Sequence, residues 1–286
     1  MKHKLLIIIG TLFLLFPNLL LAQAVPPQGE PTNPTETAQQ NKAPQGVDQK
    51  DYDAYRSLVS ALSVEEQAWE QTLEKYLGGF YFPLHLKDKL AKRSNAWDFV
   101  KDDPNLPRII LIGDSISRSY TQPVRKLLEG KANVHRAPAN CGPTTTGLRE
   151  IDGWLTEGQG NGNWDIIVFN FGIHDRNRST KEYAENLEKL LKKLQKTGAK
   201  LLWVRTTPFN DKNDPADAPL RGSHLNEVAD KMMKEHGVPI CDLYTTFAER
   251  AKELIGEDRT HFTETGQKAL AEEIYRSITP LLEKNP

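Results

Sequence analysis

The sequence predicts an α/β fold built on a parallel sheet with helices on both faces. Three observations predict it. Arg108 to Ile112 reads RIILI, a near-continuous apolar run of the kind a strand buried on both faces requires. Trp164 to Phe171 (WDIIVFNF) repeats that pattern. Between and after these runs lie helical patterns, clearest from Ser179 to Thr197, where Tyr183, Leu187, Leu190, Leu191 and Leu194 share one face. Strands that alternate with helices in this way pair in parallel and are covered on both sides.

The elements follow in order. A helix from Ile116 to about Glu129 succeeds the first strand, and Ala132 to Arg136 is a short second strand. A helix from about Thr146 to Leu155 leads to the third strand, Trp164 to Phe171. Ser179-Thr180-Lys181-Glu182 fits a capping box at the start of the next helix, and Gly198 fits its stop. Lys200 to Thr206 is the fourth strand. A helix from Ser223 to His236 ends at Gly237, and Val238 to Cys241 is a fifth strand. Helices at Leu243 to Ile255 and Thr263 to Leu282 complete the pattern.

What precedes Arg108 is different. Lys2 and Lys4 begin a stretch that is almost wholly apolar from Leu5 to Leu21 and ends in the small-x-small pattern Ala22-Gln23-Ala24. This is the form of a secretory signal peptide, residues 1–24, cleaved after Ala24. The run is barely long enough to span a bilayer and is broken by Pro17 and Asn18, so no stable membrane insertion is expected after cleavage. The predicted location is exported, in the periplasm or outside the cell. Residues 25–50 are rich in Pro, Gln, Thr and Asn, and are expected to form a flexible linker. Residues 51–107 are predicted to be a helical arm, with one helix from Asp51 to Leu77 ended by Gly78-Gly79. The aromatic run Phe80-Tyr81-Phe82 suits either a sugar-stacking platform or packing of the arm onto the main domain, and packing is the more ordinary role.

The chain has 286 residues, 37 Lys and Arg against 38 Asp and Glu, and 38% hydrophobic residues. It has no basic excess to neutralise a phosphate backbone, so nucleic acid is not an expected partner. Two cysteines exclude a disulfide-dense scaffold. The seven histidines show no metal-ligand spacing, and no metal or other cofactor is expected.

Ligands of such sheets bind at the carboxyl ends of the strands. After the first strand comes Gly113-Asp114-Ser115, which places a serine hydroxyl at the strand-to-helix turn. A nucleophile there gains the positive end of the helix dipole; a plain N-cap serine is the ordinary alternative. After the second strand comes Asn140-Cys141-Gly142-Pro143-Thr144-Thr145, small residues whose backbone N–H groups suit an oxyanion hole. After the third comes Gly172-Ile173-His174-Asp175. Before the last helix, Asp258 precedes His261 by three residues. That spacing lets the carboxylate turn back onto Nδ1 and leave Nε2 free as a base. Each motif alone is weak.

Taken in order, the four blocks resemble the GDSL/SGNH hydrolase superfamily over about Arg108 to Leu282. The resemblance implies a three-layer α/β/α sandwich with a five-stranded parallel sheet of flavodoxin-like order, and serine esterase activity. It implies Ser115 as nucleophile, His261 as base and Asp258 as its orienter. It also implies oxyanion donors from Ser115, the second block and the third block. The third block usually reads Gly-x-Asn-Asp, so His174 stands where an amide donor is normal. An imidazole donor there needs its tautomer fixed by a partner. Some secreted bacterial members that look like this chain also carry His in the third block. The second block lacks the usual Ser-Gly-Asp-Thr, which leaves Gly142 or Thr145 as the backbone donor, with Gly142 preferred. Asp114, Thr145, Asp175 and Thr207 are expected to touch substrate. Loops 158–163 and 210–217 are expected to flank a sugar site, with Thr207 or Asn210 lining it. In flavodoxin-like order the second and fifth strands lie at opposite edges, so Cys141 and Cys241 are expected to be free thiols.

The expected function is hydrolysis of short acyl esters, acetyl first, on a carbohydrate; the partner is a small-molecule or polysaccharide ester. Export, the absence of a long apolar stretch to hold a lipid chain, and family precedent favour it. A lipase, thioesterase or arylesterase on the same triad is the second reading. A non-catalytic glycan-binding domain is the third, favoured only by His174.

Overall fold

The computed structural model describes residues 42–215 and 217–283. The expected signal peptide, and the expected linker as far as residue 41, lie outside the described residues. From Ala43 onward the described residues form one compact unit.

The chain enters through three helices, α1 (Gln49–Ser60), α2 (Val64–Tyr76) and α3 (Gly78–Leu90). The single helix expected from Asp51 to Leu77 is therefore two. The break is made by Ser63, whose hydroxyl accepts from Glu66 N at 3.3 Å while the Glu66 carboxylate accepts from Ser63 N at 3.2 Å. This capping box restarts the helix and outweighs the continuing apolar pattern. Gly78, at φ +65°, turns the chain sharply, but α3 starts there and takes in the aromatic run. Phe82 enters a core of Tyr52, Tyr55, Leu73 and Leu77, whereas Phe80 is 69% exposed. Trp97 then stitches the arm to the sheet: its backbone oxygen accepts from Trp69 Nε1 at 2.7 Å, and its own Nε1 donates to Ala137 O at 3.2 Å.

Five strands follow: β1 (Arg108–Ile112), β2 (Asn133–Arg136), β3 (Ile166–Phe169), β4 (Lys200–Val204) and β5 (Ile240–Cys241). All pair in parallel, in the order β2-β1-β3-β4-β5. Successive side chains of a strand point to opposite faces. Ile110 and Ile112 accordingly face a layer made by α5 (Thr144–Thr156), α6 (Thr180–Gln195) and α7 (Ser223–Glu235). Ile109 and Leu111 face a layer made by α4 (Ser115–Leu127), α8 (Leu243–Ala248), α9 (Ala251–Leu254) and α10 (Glu264–Leu282). Each buried Leu, Ile or Phe contributes about 1.5–3 kcal/mol by leaving water, and such residues make up more than half of each layer.

Several local expectations change. The helix expected over 243–255 is broken at Glu249–Arg250 into α8 and α9. Only half of the α6 capping box forms: Ser179 Oγ accepts from Glu182 N, but the Glu182 carboxylate is drawn to Arg178. Loop 158–163 cannot flank the site. Its carbonyls at Gly160 and Asn163 accept from Arg108, the first residue of β1, so it lies at the amino ends of the strands. Cys141 and Cys241 are free and buried at opposite sides of the sheet, and burial pushes both thiols up to about 12. Among the described residues no helix is long and apolar enough to cross a membrane.

Candidate active site

The sheet order reverses between β1 and β3, and the loops at that switch point carry the candidate residues. Asp114 closes the first of them. It adopts extended backbone, and its Oδ1 accepts from Ile116 N at 2.9 Å, which caps α4 and leaves Ser115 as the first helical residue. Arg136 on β2 braces the turn from beneath. Its Nη1 donates to Ser117 Oγ at 2.6 Å and its Nη2 to the carbonyls of Gly113 and Asp114, both at 3.0 Å. This guanidinium is wholly buried, and loss of water lowers its pKa from the ordinary value.

Asp258 and His261 come from the loop between α9 and α10. The loop closes on itself: Gly256 N donates to His261 O at 2.7 Å, and Ile255 bridges Phe262. Arg259 occupies the left-handed region at φ +62°, unusual for a side chain of its size. Its guanidinium donates to the carbonyls of Asp214 and Pro215 at 2.5 and 3.1 Å. Asn210 N donates to Arg259 O at 2.8 Å, so loop 210–219 is tied to this one.

The result is a continuous chain of hydrogen bonds. Ser115 Oγ lies 2.7 Å from His261 Nε2, and His261 Nδ1 lies 2.6 Å from Asp258 Oδ2. With the imidazole proton on Nδ1, the hydroxyl donates to Nε2 and Nδ1–H donates to the carboxylate. Partial burial pushes the Asp258 carboxyl up, but the N–H groups of His261 and Thr260 and the imidazole together hold it below its ordinary value. The His261 and Asp258 side chains are 48% and 51% exposed, so the pair sits in an open depression and not at the bottom of a tunnel.

The second and third blocks are locked together by a residue assigned above to substrate. Asp175 is fully buried. Its carboxylate accepts from Thr144 N at 2.8 Å and Thr144 Oγ1 at 2.7 Å, and Arg178 Nε lies 3.0 Å away. It caps α5 from another loop, and no face is left for a ligand. Asp114 is likewise buried, and its Oδ1 is taken up by its own helix cap, so both carboxylates hold the loops in place where a contact to substrate was expected. Thr207 is also buried, its hydroxyl without a partner among the described residues. Asn210 is buried too; with Asp217, Leu220, Lys252 and Arg259 it lines a cavity of about 480 Å³ behind the Asp258 loop. Thr145 stays at the site's edge, its hydroxyl accepting from Arg178 Nη2 at 3.1 Å. Gly142, at φ +64°, directs an N–H that meets no protein acceptor among the described residues. His174 is exposed between buried neighbours, on a short 3-10 turn (Ile173–Asp175). Its ring has no hydrogen-bond partner among the described residues, so none of them is the expected tautomer-fixing group. Gly172 permits the close approach behind it: a Cβ there would meet Thr206 Oγ1 at 1.8 Å.

A model of the GDSL-like lipase/acylhydrolase family matches residues 111–269, more than half of the chain. The chain belongs to the GDSL-like lipase/acylhydrolase family. It is a carboxylic ester hydrolase of that family, and α1 to α3 lie ahead of the matched region. Its fold is shared with a lipase/acylhydrolase from Enterococcus faecalis (24% identity, TM-score 0.53, covering 63% of this chain and all of that one). It is shared with an acetyl xylan esterase (15% identity, TM-score 0.52, 60% and 99% covered). A protein from Slackia heliotrinireducens assigned to the SGNH hydrolases also matches (21% identity, TM-score 0.50, 61% and 100% covered). No curated protein matches the chain in sequence.

Proposed function

We propose that this GDSL-like hydrolase is an exported serine esterase that removes short acyl groups, acetyl above all, from a carbohydrate. The hydrogen-bond chain Asp258–His261–Ser115 carries the reading. His261 Nε2 takes the Ser115 proton as Oγ attacks the ester carbonyl. The carbonyl oxygen becomes an oxyanion facing the Ser115 and Gly142 N–H groups and the His174 ring. Protonated His261 then gives its proton to the leaving sugar hydroxyl, which leaves an acyl-serine. Water, deprotonated by the same nitrogen, attacks the acyl carbon, and Ser115 recovers its proton as the carboxylic acid departs.

Four features support the finer claims. The triad is open to solvent, as a polymer-borne ester requires. The residues just behind it include the buried Thr207 and the half-buried Asn170, both polar, and offer no long apolar channel for an acyl tail. The solved acetyl xylan esterase of the same fold is compatible with a sugar ester. The amino-terminal pattern Lys2 to Ala24 supports export.

Hydrolysis of p-nitrophenyl acetate by the wild type and by Ser115→Ala tests the reading. The variant should lose activity by roughly 10⁴-fold or more. Equal rates would refute a serine mechanism. Across acetate, butyrate, octanoate and palmitate esters the rate should fall with length, and a preference for long chains would overturn the short-acyl claim.

A further inference from the structure

The three arm helices precede the family match, yet one of them, α3, reaches the helix that carries Ser115. Arg118 lies one turn after Ser115 on α4, the same face of the helix. Its guanidinium lies 5.6 Å from the Tyr81 ring centroid and 6.0 Å from that of Trp97. Phe80 meets Tyr81 edge-on, with ring centroids 4.8 Å apart, and is 69% exposed. Among the described residues Arg118 makes no ion pair and no side-chain hydrogen bond, and its Nε is buried without a partner. Most other arginines of the fold have a carboxylate close by: Arg108 with Asp102, Arg176 with Asp211, Arg178 with Asp175, Arg205 with Asp242. A second guanidinium, Arg136, lies under the same turn at 5.6 Å from the Trp97 ring, also without an ion pair among the described residues, and its like charge repels that of Arg118. Asp114 acts on Arg136 electrostatically, but it is buried in its own helix cap.

An arginine that is stacked, partly buried and unpaired beside a nucleophile is costly to hold for packing alone. It is suited to an anion that arrives with the substrate. The planar guanidinium matches a carboxylate in two-pronged fashion, and the exposed Phe80 ring matches the apolar C–H face of a sugar ring. We propose that Arg118, Tyr81 and Phe80 form a subsite for a carboxylate-bearing sugar, a uronate unit of the polysaccharide whose ester Ser115 cleaves. The subsite rests on the carbohydrate-esterase reading above. It gives the arm a role in choosing substrate: the hydrolase domain brings Arg118, and α3 brings the rings.

Direct binding tests the subsite apart from catalysis. Ser115→Ala protein is titrated calorimetrically with unesterified oligogalacturonate and oligomannuronate, and with a neutral xylo-oligosaccharide of equal length. At least one oligouronate should bind more tightly than the neutral oligomer by about tenfold or more, and its affinity should fall as salt rises from 50 to 500 mM. Adding Arg118→Gln should weaken oligouronate binding by about tenfold and abolish the preference over the neutral oligomer. Adding Phe80→Ala, a change at an exposed ring that leaves the core intact, should weaken binding of both kinds of oligomer several-fold. Failure of both oligouronates to bind, equal binding of the neutral oligomer, or an unchanged affinity in Arg118→Gln protein that melts like its parent would each overturn the proposal. None of these outcomes depends on turnover, so the loss of p-nitrophenyl acetate hydrolysis in Ser115→Ala judges the esterase reading separately.

Discussion

At the scale of single residues, His174 and Asp175 show how adjacent positions divide. His174 is exposed at the mouth of the site, and Asp175 is sealed beneath it. If His174 donates to the oxyanion, His174→Ala should lower kcat by roughly 100-fold, the usual cost of one such donor, whereas His174→Asn should restore most of the rate. Steady-state kinetics on p-nitrophenyl acetate distinguish the two, and equal rates in all three proteins would remove His174 from the reaction. Asp175→Ala acts differently. It strips the cap from Thr144 and leaves Arg178 facing a void. We expect a loss of about 3 kcal/mol in stability, read from urea unfolding, with the second block displaced from Ser115. Sequence alone placed both residues at the right edge of the sheet. It did not separate them, because a histidine and an aspartate side by side carry no mark of which one turns inward. The same holds for Asp114. For Arg136 the sequence does carry a signal: a charge inside an otherwise buried strand needs a buried acceptor, and the carbonyls of the Gly113-Asp114 turn supply it.

At the scale of elements, the strands and long helices were legible because their periodicity is strong and each buries one clear face. The breaks were less so. Ser63 and Glu66 form a capping box that reads plainly once sought, and it divides α1 from α2. The interruption between α8 and α9 has no such mark. Inside the arm, Glu70 on α2 is buried against the other two helices. Tyr55 of α1 donates to it at 2.7 Å, and His85 and Lys89 of α3 lie 2.7 Å from its oxygens. Burial alone would raise its pKa, but His85 and Lys89 hold it down at about 2, below the ordinary 4.5. A carboxyl whose folded pKa is depressed contributes stability above its unfolded pKa and loses it as pH falls toward the folded one. The wild type should therefore be more stable than Glu70→Gln at pH 6, with the gap closing between pH 4.5 and about 2. Unfolding midpoints at pH 6, 4 and 3 check this, and a gap independent of pH would show that Glu70 is not the ionised partner.

At the scale of the whole molecule, the parts of the site come from regions of unequal firmness. Ser115 rests on α4 and on β1, a strand paired on both sides, with Arg136 locked below. Asp258 and His261 ride on a six-residue excursion that reaches the body chiefly through Ile255, Phe262 and the grip of Arg259 on loop 210–219. Few buried contacts and many solvent-facing hydrogen bonds mark a segment that opens on its own, ahead of global unfolding. The consequence is that heat should switch this enzyme off before it melts it. Residual activity should fall at a temperature several degrees below the circular-dichroism midpoint and return on cooling. Arg259→Ala should widen that interval by lowering the inactivation temperature far more than the melting temperature. Coincident transitions in both proteins would instead make the loop an integral part of the cooperative fold. On the proposed mechanism the molecule would carry its own thermal fuse: Ser115 would keep its place while His261 swings away, and the fold would outlive the activity.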